Sequence, residues 1–371
     1  MSDTQKHTKP NVPNLRFPGF RGEWEKRRIG EDCAVNMCKR IFANQTSEQG
    51  DVPFFKIGTI GGPPDAYISK DLFEEYKAKY NYPRKGEVMI TCAGTVGKTI
   101  VFDGEDAYFQ DSNIVWLSNP KQLYINSFLN YVLSKVNWNK LNSTTITRIY
   151  NDNLRELVIN YPSVKEQEKI VTLLSFLDQR IAIQNKVIEK YESLIKALAY
   201  EIIGKNSPNK MLSECVRSAS STLKESDLEE AGAVPAYGAA GISGFTANPL
   251  SKEDSVLITK DGSGVGSLRY VYGPHSFVGT LNSMTPKEGI YLPYIYYALH
   301  NVCFESYRTG QAIPHIYFKD YGKESIYCPS FDDQIRLAKG FEMIDTKIVI
   351  ERATLQNLQS AKAYLLSALF I

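Results

Sequence analysis

Two stretches of the chain place apolar residues at alternating steps of three and four, the period of a helix packed along a narrow seam. The first is Leu174, Leu177, Ile181, Gln184, Ile188, Tyr191, Ile195, Leu198 and Ile202. The second is Phe341, Ile344, Ile348, Glu351, Leu355, Leu358, Lys362, Leu365 and Leu369. They predict two long helices, Val164 to about Ile203 and Phe331 to about Leu369. Each opens at a Pro-Ser pair, with Ser163 and Ser330 as N-caps and Glu166 and Asp333 three residues on, as in a capping box. Gln184 and Glu351 are polar at the same place in both seams, and Lys362 replaces an apolar residue. The simpler reading is two amphipathic helices, each lying on its own domain. One long helix cannot bury so narrow a seam alone, however, and each has a related partner in the same chain. We therefore expect an antiparallel intramolecular coiled coil with an approximate two-fold axis. At 1.5 Å per residue, ~40 residues make a ruler of roughly 60 Å.

Ahead of each helix lies a section of short β-like runs broken by Gly, Pro and Asn: Glu87–Cys92 and Asn113–Leu117, then Ser255–Thr259 and Leu268–Tyr272. A more helical stretch follows in each, Ser127–Val136 and Tyr294–His300. These similarities reflect an internal duplication. Val88–Thr91 with Gly94 and Gly97 returns as Val256–Thr259 with Gly262 and Gly266. Farther on, Ile146, Ile149, Tyr150, Pro162, Ser163, Gln167, Asp178, Ile181 and Ile183 fall on Ile313, Ile316, Tyr317, Pro329, Ser330, Gln334, Asp345, Ile348 and Ile350, always 167 residues apart. The pattern predicts a mixed α/β fold with two similar domains, 1–162 and 206–329, and two spacer helices, 163–205 and 330–371. A polar linker, Gly204–Lys210, follows the first helix.

The 371 residues suffice for two such domains, and 43% hydrophobic content supplies their cores. A formal charge of +2 argues against a surface coated in basic residues and leaves room for local patches. The six cysteines and four histidines are scattered without metal-ligand spacing. The polar N-terminus shows no secretory signal, and no apolar stretch approaches the ~20 residues of a membrane span. A reduced cytoplasmic protein, away from membranes and without a metal of its own, is expected.

Two kinds of segment suit a polyanion. Ser134–Tyr150 holds Lys135, Lys140 and Arg148 with no acid, together with Asn142, Ser143, Thr144 and Thr145. Its counterpart, Tyr307–Lys319, holds Arg308, Gln311, His315 and Lys319, again without an acid. Such residues reach phosphates and base edges; an ordinary solvated loop with a charge bias is the plainer account. The second candidate surface is the glycine turn, where Lys98, Thr99, Lys260, Ser263 and Arg269 are placed to approach a backbone.

Enzymatic readings fare less well. Gly94–Thr99 resembles the end of a phosphate-binding loop, but Cys92 stands where the first glycine belongs. Tight turns needing positive φ account better for these glycines. Asp65, Glu75 and Lys77 trace the outline of a metal-dependent nuclease without a counterpart in the second half; a solvated helix face over Asp71–Tyr80 is the alternative. No Asn/Asp-Pro-Pro-aromatic loop of an adenine methyltransferase is present.

Several segments give the organisation a family likeness. Pro13–Phe20 followed by Glu23-Trp24-Glu25, and Pro162–Ile170 leading to Leu177, Asp178 and Ile181, resemble the opening and central spacer of type I restriction-modification specificity subunits. Val234–Gly238 followed by Gly241–Gly244 resembles the start of their second target-recognition domain, and the glycine turn of each half fits as well. The second spacer motif departs from the pattern at Asp332, Asp333 and Leu337. The resemblance implies a non-catalytic chain whose two globules each read half of a bipartite site in double-stranded DNA, with the coiled coil fixing the gap. It implies two methylation subunits carrying S-adenosylmethionine, and restriction subunits using ATP and Mg. A scaffold for other proteins, or a lone nuclease, are the competing functions.

Overall fold

Short runs of β-branched and aromatic residues form the sheets, and the computed structural model describes them within residues 10–138, 148–310 and 313–371. The chain divides into two units, Met1–Ala182 with Gln356–Ile371, and Ile183–Leu355. The division runs through both long helices, so each unit holds a piece of each.

In the first unit an antiparallel sheet has the strand order Ala34–Met37, Ile114–Ser118, Val88–Thr91, Thr99–Val101. Every residue of Val88–Thr91 is buried, which explains why this strand reads as an unbroken apolar run. A three-stranded sheet sets Val52–Phe55 between antiparallel Tyr67–Ile68 and parallel Tyr108–Phe109. A ribbon pairs Glu25–Arg28 with Val158–Tyr161.

The second unit repeats this plan strand for strand. Its four-stranded order is Val216–Ser220, Leu281–Pro286, Ser255–Thr259, Leu268–Val271. Val234–Gly238 lies between antiparallel Gly241–Thr246 and parallel Ser276–Phe277, and Lys210–Met211 pairs with Ser325–Ile326. The duplication seen as identities in sequence is thus a duplication of topology.

The two helices span Val164–Ala199, continued by a π-helical turn over Tyr200–Gly204, and Phe331–Leu369. Their glutamines dock them to the globules. Buried Gln167 accepts from the Ile125 amide (2.8 Å) and donates to the Leu123 and Pro162 carbonyls (both 2.9 Å). Gln334 likewise accepts from the Tyr291 amide (2.9 Å) and donates to Pro329 (3.0 Å). In both units the amide that is held lies at the start of a short helix, Asn126–Ser134 or Leu292–Ala298. A tyrosine of that short helix then donates to the spacer helix: Tyr131 to Asp178 (2.7 Å) and Tyr297 to Asp345 (2.5 Å).

Only one of the expected caps forms with its serine side chain. Ser330 Oγ accepts from the Asp333 amide (3.3 Å) and donates to its carboxylate (2.8 Å). Glu166 closes no box, because Arg16 takes its carboxylate through two bonds of 2.8 Å. That half-buried pair ties the N-terminal segment to the first turn of the helix, and the Leu15 amide adds a bond to the Ala368 carbonyl (2.9 Å).

The seam is continuous within each unit. In the second unit Ile188, Ile195, Phe341 and Ile348 are buried in one core, with Tyr191, Leu198, Ile344 and Leu355 packed against it. Gln184 donates there to the carboxylate (2.5 Å) and carbonyl (3.0 Å) of Glu351. In the first unit Leu174 and Leu369 are buried with Leu365 packed beside them, while Leu177, Ile181 and Leu358 are half-buried. Lys362 is ion-paired with Asp178 and lies 5.7 Å from the Tyr131 ring. In the first unit Leu174 shares a core with Leu369, and Asp178, four residues on, meets Lys362, seven residues back, so the two helices run antiparallel there. One seam position is displaced: Ile202 is 39% exposed and Ile203 takes its place in the core. The wider π turn advances the buried stripe by one residue.

Candidate nucleic-acid interface

The strand Val88–Thr91 ends in the glycine turn. Gly94 (φ +64°) and Gly97 (φ +81°) adopt the left-handed conformation that the spacing predicts. Gly97 has a second reason to lack a side chain, since a Cβ there would lie 2.0 Å from Cδ1 of Trp138. Thr91 Oγ1 closes the turn by accepting the Lys98 amide (3.0 Å) and donating to the Thr95 carbonyl.

Three further segments meet this turn. The connection between Val52–Phe55 and Tyr67–Ile68 is held where Lys98 Nζ donates to the Ile60 carbonyl (2.5 Å). The segment Gln110–Asn113 is held by the Gln110 amide on Phe55 (2.9 Å), the Ile57 amide on Gln110 Oε1 (3.3 Å) and the Cys92 amide on the Asn113 carbonyl (2.7 Å). Finally, the Ile149 amide donates to Cys92 (2.9 Å) and Arg148 donates to the Ser112 carbonyl (3.2 Å). Four loops therefore converge at one end of the sheet.

The second unit builds the same cluster. Gly262 (φ +94°) and Gly266 (φ +85°) shape the turn, and a Cβ on Gly266 would lie 2.8 Å from Phe304. The Gly262 amide donates to Pro314 and the Ile316 amide to Lys260, both at 2.9 Å, and Asp261 bridges His315. The Lys260 amide donates to Thr280 (2.9 Å), and the Arg269 guanidinium lies over the Tyr237 ring (5.9 Å) beside the hairpin tip at Gly241.

The sequence-predicted residues divide accordingly. Lys98 and Arg148 join the first cluster, and Lys260, Ser263, Arg269 and His315 the second. Thr99 lies in the adjoining edge strand opposite Ile90, and Arg308 pairs with Glu305 (2.7 Å). Lys140, Asn142, Ser143, Thr144, Thr145 and Gln311 lie outside the described residues. Most of these cations already have partners, Lys260 with Asp261 and Lys98 with a carbonyl, so the clusters offer positioned donors more than idle charge. Sequence reasoning missed Gln110–Asn113 and the connections around Ile57–Gly62 and Gly238–Gly241, which enter the clusters only through tertiary hydrogen bonds.

The nuclease outline does not assemble. Asp65 pairs with Lys56 (3.1 Å), Glu75 with Lys79 (2.8 Å) and Lys77 with Asp106 (3.0 Å). Glu75 and Lys77 lie on a helix, Lys70–Lys79, capped by Ser69 and buried through Phe73. Among the described residues, no three His, Cys, Asp or Glu side chains group to hold a metal, and no helix is long and apolar enough to cross a membrane.

Comparison with known proteins addresses this architecture. A family model, the type I restriction modification DNA specificity domain, matches residues 21–193. A type I restriction enzyme specificity subunit of Haemophilus influenzae is 49% identical over 161 residues, which is 43% of this chain and 41% of the relative. A type I specificity subunit of Mycoplasma genitalium is 28% identical over 250 residues, 61% of this chain and 65% of the relative. The chain thus matches less than two thirds of the length of either. The crystal structure of a type I restriction-modification S subunit from M. genitalium shares the fold across 97% of this chain and 99% of its own (TM-score 0.59, 23% identity). A chain from a study of complex assembly and conformational transition in the type I R-M system aligns over 95% of this chain and 97% of its own (TM-score 0.51, 16% identity). The chain is thus similar to type I restriction-modification specificity subunits, in sequence over residues 21–193 and in fold along its length.

Proposed function

We propose that the chain reads a split sequence in double-stranded DNA, one half-site for each unit, on behalf of enzymes that it does not itself contain. The observation that carries this reading is the repeat of one strand order and one loop cluster in both units. A duplicated reading head suits a target of two short halves, and the paired helices set the gap between them. The loop clusters supply what recognition needs: backbone donors, hydroxyls and amides on a rigid sheet, with cations placed beside them.

In this reading methylation subunits bring S-adenosylmethionine, and restriction subunits bring ATP and Mg. Two copies of one methylating partner suit the helices, which expose apolar residues at the same 167-residue interval. Phe176 and Met343 are 61% and 73% exposed, and Ile183 and Ile350 are 57% and 51% exposed. The near-neutral charge fits this division of labour. With few phosphates neutralised, the isolated chain binds DNA weakly, and encirclement by partners completes the grip.

A genome-wide map of N6-methyladenine tests the reading, in cells expressing this chain with the methylation subunit encoded beside it. We expect a split motif that vanishes when this chain is omitted. An active methylation partner whose motif does not depend on this chain would leave it a scaffold.

A further inference from the structure

Only two non-glycine residues among those described have positive φ, Ser112 (+51°) and Gln122 (+52°). Ser112 lies at the centre of the first loop cluster. A left-handed serine is strained relative to the right-handed region, and persists only where surrounding contacts over-determine it. Those contacts are present. Arg148 donates to the Ser112 carbonyl (3.2 Å), Arg40 pairs with Asp111 (2.8 Å), and Gln110 Oε1 accepts the Ile57 amide (3.3 Å).

The strain has a source in the duplication. The Gln110 amide on Phe55 corresponds to the Val278 amide on Tyr237, and the Cys92 amide on Asn113 to the Lys260 amide on Thr280. Between these fixed points the first unit has Asp111, Ser112 and Asn113, whereas the second has only Gly279 and Thr280. One extra residue is thus accommodated in the first unit, and His315 stands where Arg148 would be. The added length ends in two half-exposed side chains, the Ser112 hydroxyl and the Asn113 carboxamide, that make no hydrogen bond among the described residues.

We infer that Gln110–Asn113 is the base-reading turn of the first unit, with Asn113 reading an adenine. The inference rests on the DNA-reading function proposed above. A carboxamide matches the donor and acceptor pair at adenine N6 and N7, and a hydroxyl beside it adapts to either partner. The braced turn holds both without the flexibility of an ordinary loop. The shorter Gly279-Thr280 turn lacks the carboxamide, so the two units read different chemistry with the same scaffold.

The test is selection from a random DNA library, using the full chain with its methylation subunit. Wild type is expected to select two half-sites. Asn113→Ala is expected to lose adenine preference at one position of one half-site by about tenfold, leaving the other half-site unchanged. Ser112→Gly, which accepts the same φ and is expected to fold, loosens selection at that half-site only. Unaltered half-sites in both variants, each folded by circular dichroism, would overturn the assignment while leaving DNA reading intact. A wild type that selects no sequence would sink both.

Discussion

At the scale of single residues, buried Asp32 and half-buried Asp345 behave as two kinds of carboxylate. Burial pushes the Asp32 carboxyl upward. Hydrogen bonds from Tyr124 (2.8 Å) and Lys121 (3.1 Å), with the charges of Lys121 and Arg27, outweigh burial and leave it below its ordinary value. Asp345 is raised by burial, against the Tyr297 hydrogen bond and the Arg352 charge. The signs follow from linkage. Asp32 contributes stability above the ordinary carboxyl pKa of about 4, lost as pH falls through its lower folded value. The contribution of Asp345 is complete below about pH 4 and is lost as pH rises through its elevated value. Denaturant titrations across pH should therefore show Asp32→Asn flattening the acid side of the profile. Asp345→Asn should gain stability toward neutral pH; a loss there would mean that the Tyr297 bond outweighs the burial of charge. Neither behaviour was legible in sequence, because Asp32 finds Tyr124 from 92 positions away. The capping boxes show the same limit: Ser330 obeys the local pattern, whereas Glu166 is claimed by Arg16, 150 positions distant.

At the scale of elements, the glycine turns distinguish two reasons for a glycine. Gly97 combines positive φ with a Trp138 ring that leaves no space for a Cβ, whereas Gly262 has positive φ and nothing within 4 Å. Gly97→Ala should cost about 3 kcal/mol, from strained backbone and overpacking together. Gly262→Ala should cost only about 1 kcal/mol, the backbone share. Equal losses in thermal or denaturant unfolding would mean that the Trp138 contact is not what fixes the first turn. Sequence made these turns visible, since glycines at fixed offsets in a duplicated chain report a shared backbone requirement. It also made the two long helices visible, because a three-four alternation survives for nine positions. The small parallel strands Tyr108–Phe109 and Ser276–Phe277 were not legible, being only two residues long and defined by their partners. The π turn that exchanges Ile202 for Ile203 was hidden for a related reason. It changes the helical period, and period is what the reading assumes.

For the whole molecule, the duplication makes a numerical prediction about assembly. If exposed Phe176 and Met343 each seat one copy of the same methylation subunit, a charge at one of them should remove one copy and spare the other. Native mass spectrometry of the assembled complex should then show two methylation subunits with wild type, one with Phe176→Glu or Met343→Glu, and none with both. Retention of two copies by either single variant would place the docking surface elsewhere.

The division of each helix between units bears on how the protein is made. Trp24 and Phe128, early in the chain, pack against Phe370 at ring-centroid distances of 6.4 and 5.2 Å. Ile183–Leu355 closes its own core without that residue. The N-terminal globule, synthesised first, is therefore completed last. It waits through the translation of the entire second unit for residues 356–371, during which its apolar surface near Trp24 stands open. Domains usually mature in the order in which they leave the ribosome; here the order of completion is reversed, and a chain released before residue 370 would be defective first in its N-terminal half.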